Sequence, residues 1–205
     1  NRIPSSRRLE REARRNIDAW WPGVAAGRVE AIVMTASGCG TQVKDYGHLL
    51  QQDPAYAEKA VRIAALCRDL SEVVAAEGDA LETLIAGSAA VERRRIAFHA
   101  PCSLQHGQKI RGVVEKLLEA AGFELAPVRD AHLCCGSAGT YSLLQPTLAG
   151  RLRADKLDAL VDSGGATVVS ANIGCIEHLA AGGRLPVKHW IELIDEYFTA
   201  LRQKI

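Results

Sequence analysis

The feature that most constrains this chain is a pair of adjacent cysteines, Cys134 and Cys135, with two more cysteines far away on either side. Together with Cys102 and Cys175 they form the pattern C-x31-C-C-x39-C. Neighbouring cysteines can bond to each other only in a strained ring, so a vicinal disulfide is not the expected state. In a cytosolic chain, clustered cysteines indicate metal or redox chemistry more often than structural disulfides.

Composition argues against several other classes of protein. With 205 residues, 48% apolar and 24% charged, the chain is an ordinary globular protein able to bury a core. Its net charge of +1 gives no general reason to expect a nucleic-acid partner. No apolar run approaches the roughly 20 residues that span a bilayer, and no signal peptide is visible, which predicts a cytoplasmic location. The chain lacks an initiator methionine and opens inside a predicted helix, so we expect a fragment of a longer protein.

Hydrophobic periodicity predicts strands that alternate with helices, which is typical of an α/β fold with largely parallel sheets flanked by helices. In the first part we expect a helix over 9–21 that ends at Pro22 and Gly23, followed by a strand over 30–36 that is buried on both faces and a turn at 37–40. A second helix is expected over 55–76, with the side chain of Cys67 in the protein core, and a linker containing Gly78 and Gly87 follows it. In the second part, starting near Glu92, we expect strands over 95–100, 123–128 and 166–173, and helices over 110–121, 141–162 with a break at Pro146, and 187–201.

The four spaced cysteines follow predicted strands, and parallel sheets gather functional groups at the carboxyl ends of their strands. We therefore expect Cys102, Cys134, Cys135 and Cys175 to share one site. A weak internal repeat relates residues 31–40 to residues 167–176, with Cys39 as the counterpart of Cys175.

Several interpretations of the cysteines compete. Any single cysteine could be ordinary core, but four at strand ends make that a poor explanation. Structural zinc favours C-x2–4-C knuckles, which are absent here, and neighbouring thiolates do not easily take two corners of one tetrahedral ion. Adjacent thiolates can more readily reach different irons of an iron–sulfur cluster. A thiol enzyme using Cys102 and His106 is a weaker alternative, since no nucleophile elbow accompanies the pair.

The motifs around these cysteines resemble the CCG cysteine-rich domain, which occurs in the heterodisulfide reductase B subunit and in bacterial complexes that oxidise lactate and glycolate. The resemblance is closer still to the iron–sulfur subunits of bacterial glycolate oxidases, and it covers essentially the whole chain. The segments that carry it are 16–22 (NIDAWWP), 35–40 (TASGCG), 44–47 (KDYG), 98–106 (FHAPCSLQH), 132–141 (HLCCGSAGTY), 171–175 (ANIGC) and 189–192 (HWIE).

The resemblance implies that residues 1–90 are the end of a first CCG repeat plus a linker, and that residues 91–205 are a complete second repeat. It also implies a [4Fe–4S] cluster, non-cubane in related domains, held by the four cysteines. The family pattern ends C-x-x-C, whereas this chain has Cys175-Ile-Glu-His178, so His178 becomes the candidate replacement ligand. Its alternative is a histidine behind the ligands or on the surface. His106, four residues after Cys102, is interpreted as a solvated loop residue, and the alternative is that it hydrogen-bonds a cluster sulfur.

Functionally, the resemblance implies an electron-transfer subunit of a glycolate dehydrogenase, an oxidoreductase complex. Flavin-containing glycolate oxidase subunits would be the partners and would carry out the substrate chemistry, because this chain shows no flavin or nicotinamide fingerprint. The complex would lie in the cytoplasm or peripherally at the inner membrane. The alternatives are a disulfide-reducing protein of the heterodisulfide reductase type and a zinc-stabilised scaffold.

Overall fold

The computed structural model describes residues 4–78 and 94–202. It contains two compact units, the first built from Asn1–Thr35 and Cys39–Leu70, the second from Ala36–Gly38 and Ser71–Ile205. The predicted start of the second unit near Glu92 and the linker glycine Gly87 lie outside the described residues. None of the helices described is both long and apolar enough to cross a membrane.

The first unit packs helices on a two-stranded parallel sheet. Ile32 of one strand is in register with Cys67 of the other. The core is formed by apolar faces of the helices, with Ile17 and Ile63 fully buried. The elements are α1 (Pro4–Ala25), β1 (Ile32–Met34), α3 (Tyr46–Leu49), α4 (Ala57–Leu66), β2 (Cys67–Asp69) and two helices that each have residues in both units, α2 (Ser37–Lys44) and α5 (Leu70–Ala76).

The first helix does not end at Pro22 as predicted but continues to Ala25. A proline inside a helix removes one backbone hydrogen bond, a loss that α1 tolerates near its end. The stop lies further on, where Gly27 adopts a φ of +67° and donates its N–H to the carbonyl of Val24 at 3.1 Å. Glycine reaches this left-handed conformation without a steric penalty, so it is the stronger stop signal.

Two further predictions in the first unit are wrong. The helix expected over 55–76 is interrupted by β2, because Cys67 turns extended and pairs with β1; the side chain of Cys67 is nevertheless core, as expected. Strand β1 is shorter than 30–36 and is not covered on both faces, since Val33 remains 42% exposed. The turn expected at 37–40 is the first turn of α2.

The second unit is built on a four-stranded sheet in the order β4-β3-β5-β6, with every pairing parallel. This confirms the predicted α/β class. The elements are β3 (Arg95–His99), a short π-helix (Ser103–Gly107), α6 (Val113–Ala120), β4 (Glu124–Leu125), α7 (Tyr141–Leu144), α8 (Pro146–Asp162), β5 (Thr167–Ser170), α9 (Ile173–Ala180), β6 (Val187–His189) and α10 (Trp190–Arg202).

In this unit the predicted strand over 95–100 and the break at Pro146 are confirmed, whereas the helix expected over 110–121 begins only at Val113, after Gly112 in the left-handed conformation. The strand over 123–128 shortens to β4. The helix expected from Val187 begins only at Trp190, because the three preceding residues form a ladder with β5 that starts with Val187 opposite Val168.

The weak sequence repeat has a structural counterpart. Helices α2 and α9 each contain eight residues, begin three positions after a strand ends, and carry a cysteine, Cys39 or Cys175, as their third residue. Strands β1 and β5 each pair in parallel with a three-residue strand that leads directly into a helix. The same β-α-β-α segment therefore occurs twice in the described chain, once from β1 to α5 and once from β5 to α10.

Replacing Gly165 with alanine should destabilise the second unit by about 1–3 kcal/mol, the usual cost of overpacking. An added Cβ would lie 2.6 Å from the backbone nitrogen of Ala97 and 2.8 Å from the carbonyl carbon of Ile96, both in β3. Gly150 of α8 is the matched control, because a Cβ there meets nothing within 4 Å, and alanine should stabilise that helix by up to about 1 kcal/mol. Urea unfolding of the three proteins measures the difference; equal stabilities would contradict the packing of Gly165 on β3.

Candidate metal centre

Cys102 is positioned by the end of β3. Pro101 cannot donate to a strand ladder, so the chain leaves the sheet and Cys102 caps the π-helix that follows. The nearly buried Gln105 fixes this turn, because its amide donates to the carbonyl of Ala100 at 3.0 Å and approaches that of His132 at 3.4 Å. The Cys102 segment is thereby tied to the loop that carries the adjacent cysteines.

The adjacent cysteines lie in the loop between β4 and α7. Gly136, with a φ of +92°, turns the chain back so that its own N–H donates to the Sγ of Cys134 at 3.3 Å. A side chain on Gly136 would collide with the carbonyl oxygen of Ala149 in α8, only 2.6 Å from the ideal Cβ position. The loop can therefore reach its shape only with glycine at this point.

Cys175 lies in the first turn of α9, where the helix dipole favours a thiolate. The side chain of Asn172, just before the helix, donates from Nδ2 to the Sγ of Cys175 at 3.5 Å. The Oδ1 of Asn172 accepts from the backbone N–H of Gly38, which belongs to the same unit, at 3.2 Å. This second bond fixes the orientation of the amide and so aims its N–H group at the sulfur.

The structure brings together all four cysteines that the sequence predicted to share a site. The thiols contact one another in series, Cys102 with Cys134, Cys134 with Cys135, and Cys135 with Cys175. Cys135 and Cys175 are buried, and the other two are partly buried. In the described chain, three separate segments thus present four sulfurs to one another.

These contacts divide the thiols into proton donors and acceptors. Hydrogen bonds from Cys102 and Cys135 lower the pKa of Cys134 far below that of an ordinary thiol. A hydrogen bond from Cys135 lowers the pKa of Cys175 to about 5, although burial opposes the shift. The donors themselves, Cys102 and Cys135, have strongly raised pKa values. Cys134 and Cys175 therefore lose their protons more readily than Cys102 and Cys135, and binding a metal at all four sulfurs would release the remaining protons.

The structure adds one residue that the sequence analysis left unassigned. His99, the last residue of β3, is 2% exposed, and its ligand atoms lie within 4.8 Å of those of Cys135 and Cys175. Its position at a strand end, three residues before Cys102, was the available signal, but nothing in the sequence showed that the ring turns toward the thiols.

The other predicted residues lie elsewhere. His178 is on α9, and its Nε2 lies 3.3 Å from the carbonyl oxygen of Ala149. His106 sits in the π-helix with its Nδ1 3.4 Å from a guanidinium nitrogen of Arg111. Cys39 is exposed in the first unit. At these described positions, neither the alternative that His178 is a cluster ligand nor the alternative that His106 hydrogen-bonds a cluster sulfur is supported by a contact with a thiol.

A buried cation accompanies the thiols. Lys156 of α8 is 3% exposed, and its Nζ donates to the carbonyl oxygen of Asp130 at 2.7 Å. Burial lowers the pKa of Lys156, and the nearby thiols Cys135, Cys102 and Cys134 oppose that effect. Lys156 and Cys134 line a cleft of about 300 Å³ between α8 and the cysteine loop.

The donor set fits a soft metal group. Four sulfurs from three segments match the thiolate ligation of iron–sulfur clusters, and the backbone and Asn172 N–H groups directed at sulfur are the kind of outer contact that tunes such groups. The ring nitrogens of His99, which have no nitrogen or oxygen partner among the described residues, add a further ligand atom.

Comparison with known proteins agrees with this geometry. The CCG family, described as a cysteine-rich domain, matches residues 96–180. The glycolate oxidase iron-sulfur subunit of Escherichia coli strain K12 is 51% identical over 185 residues, which is 90% of this chain and 44% of that protein. The probable glycolate oxidase iron-sulfur subunit of Bacillus subtilis strain 168 is 27% identical over 182 residues, 82% of this chain and 39% of that protein.

Lactate utilization protein A of an Exiguobacterium species is 30% identical over 175 residues, 82% of this chain and 69% of that protein. The chain thus spans less than half the length of the two glycolate oxidase subunits and about two thirds of the lactate protein. On the sequence motifs, the cysteine arrangement and these similarities, the chain belongs to the CCG cysteine-rich family that includes glycolate oxidase iron-sulfur subunits and lactate utilization protein A.

Proposed function

We propose that this chain is part of an iron–sulfur electron-transfer subunit of a glycolate dehydrogenase, with Cys102, Cys134, Cys135 and Cys175 as the cluster ligands. The observation that carries the proposal is the convergence of these four thiols from three separate segments. The 51% identity to a protein named for its iron–sulfur role supports it. When bound, a [4Fe–4S] cluster supplies one-electron transfer.

The chain's own residues hold and shield the group. Burial of Cys135 and Cys175 keeps water from one side of the ligand set, which favours electron transfer over reaction with solvent. The N–H groups of Gly136 and Asn172 stabilise negative charge on the sulfurs of Cys134 and Cys175. Hydrogen bonds to ligand sulfur generally raise the potential of such a group.

For the partner we propose the flavin-containing glycolate oxidase subunits, where glycolate is oxidised to glyoxylate, with this chain lying between the flavin and the respiratory chain. Glycolate is preferred over lactate because the identity is 51% to the glycolate oxidase subunit of E. coli and 30% to the lactate utilization protein. The proposed location is the cytoplasm, with peripheral attachment to the inner membrane through the complex.

We further propose that residues 1–90 are the end of a first CCG repeat with its linker, and residues 91–205 a complete second repeat. This division is supported by two equivalent segments. The first runs from β1 through α2 and β2 to α5, and the second runs from β5 through α9 and β6 to α10. The CCG match over residues 96–180 falls inside the second repeat.

Anaerobically purified protein is expected to contain iron and acid-labile sulfide in matching amounts and to show an EPR signal after reduction with dithionite. Cys134→Ser should lose most of both, because Cys134 lies in the middle of the sulfur series, in contact with Cys102 and Cys135. Cys39→Ser is the matched control and should retain them, since Cys39 is exposed in the other unit.

One observation favours a second candidate. The ligand atoms of His99, Cys135 and Cys175 lie within 4.8 Å of one another, a spacing that also suits a single zinc ion. Zinc without sulfide, in protein never exposed to air, would support a zinc-stabilised scaffold and overturn the electron-transfer proposal.

A further inference from the structure

His99 is a buried imidazole with no nitrogen or oxygen partner. Both of its ring nitrogens are inaccessible to solvent, and among the described residues the ring's polar neighbour is the thiol of Cys175, which a hydrogen bond with His99 helps to deprotonate. Leaving a buried polar group unsatisfied costs about 1–3 kcal/mol, and nearly all such groups in folded proteins are paired. Because one thiol can serve only one ring nitrogen, the other nitrogen calls for a partner that is not a protein side chain.

The surroundings of His99 indicate what that partner is. Its ligand atoms, together with the sulfurs of Cys135 and Cys175, lie within 4.8 Å of one another. All three residues are buried, and the carbonyl of His99 is already engaged by the hydroxyl of Ser170 at 2.9 Å. That bond anchors the end of β3 to β5 and fixes the backbone from which the ring projects toward the sulfurs.

We propose that His99 is a ligand of the iron–sulfur cluster and supplies the non-cysteine position of its ligand set. The inference rests on the proposed function, and it assigns to His99 the role that the sequence suggested for His178. One ring nitrogen binds iron as neutral imidazole, and the other is left to donate its N–H to a neighbouring sulfur. The Nε2 of His178, by contrast, lies against the carbonyl oxygen of Ala149.

A nitrogen ligand has a spectroscopic signature that a merely structural histidine lacks. Pulsed EPR of the reduced, anaerobically purified chain, prepared with natural and with 15N-labelled histidine, should show a strongly coupled histidine nitrogen. His99→Gln should abolish that coupling, whereas the matched variant His178→Gln should retain it. His99→Cys should keep iron and sulfide close to the wild-type content and lower the midpoint potential, because thiolate stabilises the oxidised cluster better than imidazole.

The outcomes separate this proposal from the proposed function. Full iron and sulfide without a strongly coupled nitrogen, or a coupling that survives in His99→Gln and disappears in His178→Gln, overturns the assignment of His99 and leaves the cluster in place. Wild-type protein without iron and sulfide overturns the proposed function itself. Far-ultraviolet circular dichroism of each variant identifies any that has failed to fold, and His99→Cys then supplies the test through its potential.

Discussion

Replacing Gly136 with alanine is expected to destabilise the second unit by about 2–5 kcal/mol and to prevent retention of metal. Two independent costs add at this position. The backbone of Gly136 has a φ of +92°, which a residue with a Cβ adopts only under strain. The new Cβ would also lie 2.6 Å from the carbonyl oxygen of Ala149 and 2.9 Å from the Cβ of Leu152, both in α8. Neither helix backbone nor loop can yield without moving the adjacent Cys135.

Gly139, three residues further along the loop, separates the two costs. Its φ is +60°, but an added Cβ would meet nothing within 4 Å. Gly139→Ala should therefore lose only the conformational part, about 1–2 kcal/mol, and should retain metal. Urea unfolding gives the free-energy differences, and iron and sulfide analysis gives the occupancy. If the two variants lost equal stability and equal metal, contact with α8 would not be the reason for glycine at position 136.

Much of the fold was predictable because its determinants are local. Continuous apolar runs indicated β3 and β5, and the spacing of apolar residues indicated α6. The elements that were missed are set by pairing rather than by local pattern. Three-residue β2 and β6 exist because β1 and β5 offer them ladders, and each leads into a helix without a break that the sequence reveals.

The meeting of the cysteines was predictable from the sequence, whereas the positions of His99 and Lys156 were not. Strand ends in a parallel sheet meet at one edge, so the cysteine spacing sufficed to predict that Cys102 and Cys175 meet the adjacent pair. The direction of the His99 ring depends on which face of β3 the last residue presents, and that depends on the register of His99 opposite Ser170. A shift of one residue would turn the ring to the other face. Lys156 was missed for a related reason, since lysine on a helix is expected to be solvated unless the fold buries it.

The buried ammonium of Lys156 gives the site an asymmetric charge. Four thiolates holding the proposed cluster would carry net negative charge, and a neighbouring cation would stabilise the reduced, more negative form. Lys156 interacts electrostatically with Cys135, Cys102 and Cys134, and its burial limits screening by water. The position of Lys156 at the cleft beside Cys134 places this charge on one side of the ligand set.

Lys156→Met is therefore expected to lower the midpoint potential of the proposed cluster, on the order of 60–120 mV. For a one-electron couple, this shift is roughly one to two tenfold changes in the equilibrium constant for reduction. A shift of this size is what Coulomb's law gives for the loss of one charge several ångströms from the cluster at an effective dielectric constant of about 20. A dye-mediated reductive titration followed by EPR measures the shift. The variant should also lose about 1 kcal/mol of stability, because the carbonyl of Asp130 loses its donor.

Two further variants distinguish charge from loop geometry. Lys156→Gln removes the charge but keeps an N–H donor for the carbonyl of Asp130, so it should shift the potential as far as Lys156→Met while losing less stability. Arg151→Met removes an exposed cation from the same helix, where water and salt screen it, and should leave the potential nearly unchanged. A shift in Lys156→Met that is absent in Lys156→Gln would mean that Lys156 acts by holding the loop of Asp130 in place. If the midpoint potential shifts in both Lys156→Gln and Lys156→Met but not in Arg151→Met, the buried charge is the cause.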